Sequence, residues 1–242
     1  MSTAENPYAS FGMIAAHAPA TERAEFIRKT YLHLGGAILA FVALEAAILG
    51  LVPDETLASL VGTLVAGYNW LIVLGAFMLV SWIANSWASS SVSLQKQYLG
   101  LGLYVVAEAV IFVPLLYIAS KFGGPGLIPA AGVLTLIVFA GLTAIVFFTG
   151  ADLSGLGPYL GVAGLVAMGF ILCSVVFHLE ILGVVFSAAM IGLASGYILY
   201  STSNVLHHYR TTQYVAAALA LFAAVALLFW YILRLLMELN RR

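Results

Sequence analysis

Seven stretches of about twenty apolar residues, nearly free of charge, follow one another along this chain. They fall at 32–52, 68–88, 98–119, 127–149, 159–177, 181–202 and 214–236. A helix rises about 1.5 Å per residue, so each is long enough to cross the roughly 30 Å of hydrocarbon in a bilayer. No water satisfies backbone groups at that depth, so apolar runs of this length are helical. Composition agrees. Of 242 residues 63% are hydrophobic and 8% charged, where a soluble domain carries about a quarter charged. The predicted fold class is an all-α integral membrane protein, a seven-transmembrane-helix bundle. Residues 26–242 form its single domain, and residues 1–25 are a flexible polar tail.

The connectors carry turn chemistry: Pro53-Asp54-Glu55, Ser89-Ser90-Ser91, Gly123-Gly124-Pro125-Gly126 and the segment 152–158. His178-Leu179-Glu180 is so short that the fifth and sixth spans pair as a tight antiparallel hairpin. Tyr and Trp residues near the predicted ends, Trp70 and Trp230 among them, read as an interfacial belt. Residues 1–30 lack the apolar core of a signal peptide, so the first span acts as its own insertion signal. With the N-terminus cytoplasmic, Arg23, Arg28, Lys29, Lys96 and Arg210 lie inside and Lys121 outside, as the positive-inside rule asks. Arg241 and Arg242 run against that rule unless the last segment is re-entrant. The long uninterrupted run at 214–236 favours a full seventh span, in a bacterial cytoplasmic membrane. Gly157/Gly161 and Gly192/Gly196 are GxxxG pairs, read first as close packing inside one bundle.

A charge in the bilayer centre is costly, so intramembrane acids are the first functional candidates. Glu45 in the first span and Glu108 in the third lie near the midplane at similar depth. Two readings stand for them: protonated side chains that glue helices together, or a candidate ion or proton site. His207, His208, Arg210 and Glu180 lie at helix ends, where headgroup contacts compete with a gating or interface role.

The near-neutral net charge of -1 leaves no basic face for nucleic acid. A retinal protein needs a lysine in its last helix, but the only lysines are Lys29, Lys96 and Lys121. There is no His-Glu-x-x-His, no Gly-x-Ser-x-Gly, no phosphate-binding loop and no Cys/His cluster. The chain is therefore expected not to be an enzyme and to hold no cofactor or metal.

The order of features resembles the Bax inhibitor-1 family (TMBIM, with its bacterial YccA and YetJ branches). The resemblance rests on Phe26-Ile27-Arg28-Lys29-Thr30-Tyr31 leading into the first span and on Ala107-Glu108-Ala109 followed by Pro114-Leu115 in the third. It rests also on residues 134–143 running into Phe148-Thr149-Gly150-Ala151-Asp152-Leu153-Ser154. Gly196-Tyr197-Ile198-Leu199-Tyr200, then His208-Tyr209-Arg210-Thr211 and Tyr214-Val215, complete it. The resemblance implies one central helix wrapped by the others. It further implies pH-sensitive calcium leak, suppression of cell death or modulation of the membrane protease FtsH.

In relatives the leak is associated with two aspartates sharing a proton, latched by an arginine of the second span. Here those acid positions are Ser201 and Ala224, and the span 68–88 has no basic residue. Two coupled carboxylates are what would tie closure to pH, so that switch does not carry over. The leading expectation is a non-enzymatic regulator of membrane proteostasis or stress, working through helix contacts with a partner such as an FtsH-type protease. The alternative is a leak for calcium or another cation, or for protons, using Glu45 and Glu108.

Overall fold

The computed structural model describes residues 12–90, 93–178 and 183–240. Eight α-helices follow one another among them: α1 (Ala20–Leu51), α2 (Asp54–Val65), α3 (Asn69–Ala88), α4 (Leu94–Phe122), α5 (Leu127–Thr149), α6 (Gly157–Val176), α7 (Val184–His207) and α8 (Tyr214–Asn240). All but α2 are long and apolar enough to cross a bilayer, so the seven-helix bundle expected from hydropathy is the observed architecture.

The added helix is α2, where the sequence suggested a connector turn. Its 12 residues span about 18 Å, too short to cross. Pro53 caps it, and Asp54 and Glu55 fill the first turn, where the helix dipole favours acids. Leu57 and Val61, one turn apart, bury themselves with Val113 of α4. Asp54 is clamped from α4 by Lys121, whose Nζ lies 2.6 Å from Oδ1, and by the Tyr117 hydroxyl, which donates to it at 3.2 Å.

Helix α8 is the centre of the bundle. Within its apolar window 72% of residues are buried inside the protein, against 61% for α4 and 6% for the span containing α6. It packs against α1, α3, α4, α5 and α7. Alanines at 216, 217, 218, 224 and 226 keep it thin enough for its neighbours to close in. It also runs parallel to α4 along its whole length. Tyr104 meets Phe222 at 6.1 Å between ring centroids, Phe112 meets Trp230 at 4.9 Å, and Asn240 Nδ2 donates to the Gly123 carbonyl at 3.1 Å. Helix α1 shares that direction through His33–Tyr98 and Phe41–Phe112. The last helix is therefore a full span rather than a re-entrant one, and it ends on the face opposite the start of α1.

The small residues work inside the bundle. A Cβ on Gly157 would meet the Tyr200 ring at 3.1 Å, and one on Gly196 would meet Leu160 Cδ2 at 2.8 Å, so α6 and α7 close on each other. Gly161 and Gly192, the other halves of the two GxxxG pairs, face open space.

Helix α1 begins at Ala20, so the expected boundary of the polar tail at residue 25 falls inside it. Pro19 precedes the helix, Glu22 sits in its first turn, and a 2.8 Å Glu25–Lys29 pair spans one turn. The residues just before are tied to the α7–α8 junction. The Ala15 amide donates to the Tyr209 carbonyl and the Thr211 amide to the Met13 carbonyl, both at 2.9 Å.

Candidate functional site

The buried stripe of α1 runs Phe26, Thr30, Leu34, Ala37, Phe41 and Glu45, each three or four residues from the last. That spacing turns one face of the helix inward, and Glu45 ends the stripe. Its carboxyl oxygens are both buried and have no hydrogen-bond partner. One turn earlier, Phe41 packs edge-on against Phe112 and Phe222.

Glu108 belongs to a different place. A cavity of about 480 Å³ opens among α3, α4, α6, α7 and α8, and Glu108 lines it while Glu45 does not. Tyr104 of α4, Tyr197 and Ser201 of α7, and Ala224 and Arg234 of α8 line the same cavity. Helical periodicity puts Tyr104, Glu108 and Phe112, four residues apart, on one face of α4. Trp70 and Trp230 stack at 6.2 Å between centroids across the cavity wall. Glu108 is 6% exposed and Glu45 5%, yet no hydrogen bond joins them. The similar depth expected from the sequence did not become a shared site.

Ser201 and Ala224 do converge, on two helices and on the cavity that holds Glu108. Arg234 is a cavity residue that the sequence reading passed over. Its Nε lies 3.1 Å from Glu238 Oε1, and the Ser187 hydroxyl donates to Glu238 Oε2 at 3.2 Å. The signal was present, since an arginine inside the last apolar run has an acid one helical turn later.

The helix-end candidates separate. His208 Nε2 lies 3.2 and 3.3 Å from the two carboxylate oxygens of Asp152, in the α5–α6 connection. His207 turns away and places Nδ1 3.0 Å from the Ser203 carbonyl, with 6.4 Å between the two imidazole centroids. The Ser203 hydroxyl in turn accepts from the Leu153 amide at 2.7 Å. Asp152 is held well below the usual carboxylate range, first by the backbone N–H of Ser154, then by the Ser154 side chain and by His208. The Arg210 amide donates to Gln213 Oε1 at 2.9 Å, and its backbone bridges to Ile14. Glu180 lies outside the described residues. Among the described residues no group of three His, Cys, Asp or Glu side chains is placed to hold a metal ion.

The family model for the inhibitor of apoptosis-promoting Bax1 matches residues 23–242. The chain belongs to the Bax inhibitor-1 family. It is 28% identical over 223 residues to Protein LIFEGUARD 3 of Arabidopsis thaliana, covering 89% of this chain and 85% of that one. An uncharacterised protein of Pseudomonas aeruginosa is 28% identical over 162 residues, 66% of this chain and 69% of its own. Protein lifeguard 4 of Mus musculus is 30% identical over 118 residues, 48% of this chain and 49% of its own. No solved structure matches the chain. The match takes in α1 through α8, so the cavity, Glu108 and the Asp152–His208 pair all lie within this Bax inhibitor-1 chain's family-related part.

Proposed function

We propose that this Bax inhibitor-1 protein is a non-enzymatic regulator of membrane proteostasis or stress that works through contacts with another membrane protein, such as an FtsH-type protease. The observation that carries this reading is the separation of its two intramembrane acids. Glu108 faces the cavity, Glu45 is sealed against protein, and the latch positions hold Ser201 and Ala224. A permeating cation needs successive polar groups in place of its lost water, and this cavity is mostly apolar and aromatic. The ordered segment at 12–19, folded onto the α7–α8 junction, offers a surface for a partner on the side where α1 begins.

That side carries Arg23, Arg28, Lys29, Lys96 and Arg210, which supports a cytoplasmic N-terminus. The bacterial relative supports a bacterial cytoplasmic membrane as the setting.

One observation favours a second reading, a calcium, other cation or proton leak. Glu108 lines the same cavity as Ser201 and Ala224, so a single acid remains there. Reconstitution separates the two readings. Calcium and proton flux equal to that of empty liposomes, on both sides of neutral pH, supports the regulator. Flux that Glu108→Gln abolishes gives the leak primacy. If residues 12–19 meet the partner, deleting 1–19 changes the activity of a co-expressed membrane protease. Unchanged activity removes that contact from the account.

A further inference from the structure

The cavity is lined by one acid among apolar and aromatic side chains, and among the described residues none pairs with that acid as a counter-charge. Glu108 forms no ion pair with any Lys or Arg among the described residues. Counting from the Phe112–Trp230 ring pair, Glu108 lies one turn back along α4 and Arg234 one turn forward along α8, about 12 Å apart in axial position. Arg234 already has Glu238 beside it, so its charge is met at that end. Aromatic residues Tyr104, Phe77, Phe112, Trp70, Trp230 and Tyr197 line the same cavity as Glu108, among aliphatic side chains such as Leu74, Ile111 and Leu227. Aromatic faces attract cations, and tryptophan does so most strongly. An acid in an apolar cavity partly lined by aromatic rings is complementary to an ammonium group carried on an apolar body.

The route to the cavity is set by packing. Helices α3 and α6 flank it without extensive contact with each other, and Met78 of α3, which lines the cavity, is 56% exposed. An occupant would thus enter sideways from the bilayer, where only an apolar or neutral molecule dissolves readily. A volume of about 480 Å³ suits a compact ligand rather than a whole phospholipid.

We propose that the cavity between α3 and α6 is a binding site for a lipophilic amine, whose nitrogen pairs with Glu108. The amine enters uncharged, and the proton on the Glu108 carboxyl moves to its nitrogen. An ammonium–carboxylate pair forms with no net charge brought into the membrane, so the cost of burying an isolated ion is avoided. Cation–π contact with the surrounding rings and burial of the apolar body hold the ligand. An anionic amphiphile is the poorer fit, because Glu238 already answers Arg234.

The full chain in nanodiscs of neutral phosphatidylcholine, titrated with radiolabelled propranolol as the lipophilic amine, tests this. The expected result is saturable binding above that of empty nanodiscs. Glu108→Gln weakens it by at least about ten-fold, since it removes the charge-assisted hydrogen bond. Ala223→Leu, which fills the cavity from α8 and leaves the acid in place, weakens it too and decides the matter if Glu108→Gln fails to fold. Glu45→Gln binds as the wild type does. Binding no greater than to empty nanodiscs, binding that survives either cavity substitution, or binding lost with Glu45→Gln overturns the proposal. So does saturable binding of laurate that depends on Arg234 in place of amine binding.

Discussion

The imidazole of His208, at the end of α7, straddles both carboxylate oxygens of Asp152 at 3.2 and 3.3 Å, although 56 residues separate them. The pair pins the α5–α6 connection to the end of α7, and the Ser203 hydroxyl fastens the same loop through the Leu153 amide.

The pair makes stability depend on pH in a fixed direction. Asp152 is held below its ordinary value, about 3.9 in an unfolded chain. An acid depressed by folding stabilises the folded state above that value, and the contribution is lost as pH falls through the folded-state value. Asp152→Asn is therefore expected to lower the melting temperature modestly. The deficit should hold steady from neutrality down to about pH 5 and shrink below it. Melting curves of both proteins over that range check this. A deficit that persists unchanged in strong acid would assign the effect to the loop's shape rather than to its charge.

Gly100 sets how closely α4 approaches α3. A Cβ there would lie 2.5 Å from the Ala88 nitrogen and 2.6 Å from the Ala84 carbonyl oxygen, both backbone atoms that cannot swing away. Gly100→Ala should destabilise the protein by about 1–3 kcal/mol, the usual cost of overpacking. Gly102→Ala, which meets nothing within 4 Å, should not destabilise it. Thermal denaturation of the two variants side by side is the measurement, and equal behaviour would refute the close approach.

Phe112 joins three helices: its ring meets Phe41 of α1 at 5.0 Å, Phe229 at 5.7 Å and Trp230 of α8 at 4.9 Å. Truncation to alanine leaves a void that its neighbours cannot fill, at a cost of about 3–5 kcal/mol. Phe112→Leu should recover most of that loss in the same denaturation assay.

Glu45 gives the opposite sign. Its two oxygens are buried with no hydrogen-bond partner, so the folded state bears their desolvation without return. Glu45→Met, similar in length and apolar, should raise the melting temperature and leave ion flux as it was. A loss of stability on that change would mean that the carboxyl has a partner in the folded protein.

Much of this protein was legible in its sequence because a bilayer leaves few choices. Apolar runs of about twenty residues must satisfy their own backbone groups, and that alone dictates seven spanning helices. Helix α2 escaped because an amphipathic segment of 12 residues resembles a loop unless the helix it packs on is known. Pro53, Asp54 and Glu55 signal a turn and a helix start equally well.

The site divides along the same line. Sequence placed Glu45 and Glu108 inside apolar spans and led to the expectation of similar depth. Counted from the Phe41–Phe112 ring pair, Glu45 lies one turn forward along α1 and Glu108 one turn back along α4, about 12 Å apart in axial position. Sequence could not say where each faces, since that depends on helix rotation and on which neighbours close around each helix. Only the tertiary structure decided that Glu108 lines one cavity with Ser201, Ala224 and Arg234 while Glu45 is sealed on α1. Only the tertiary structure, likewise, gave His208 to Asp152 and turned His207 away, because adjacent residues on a helix point about 100° apart. Hydropathy sets where a residue sits along the membrane normal, and packing sets what it faces.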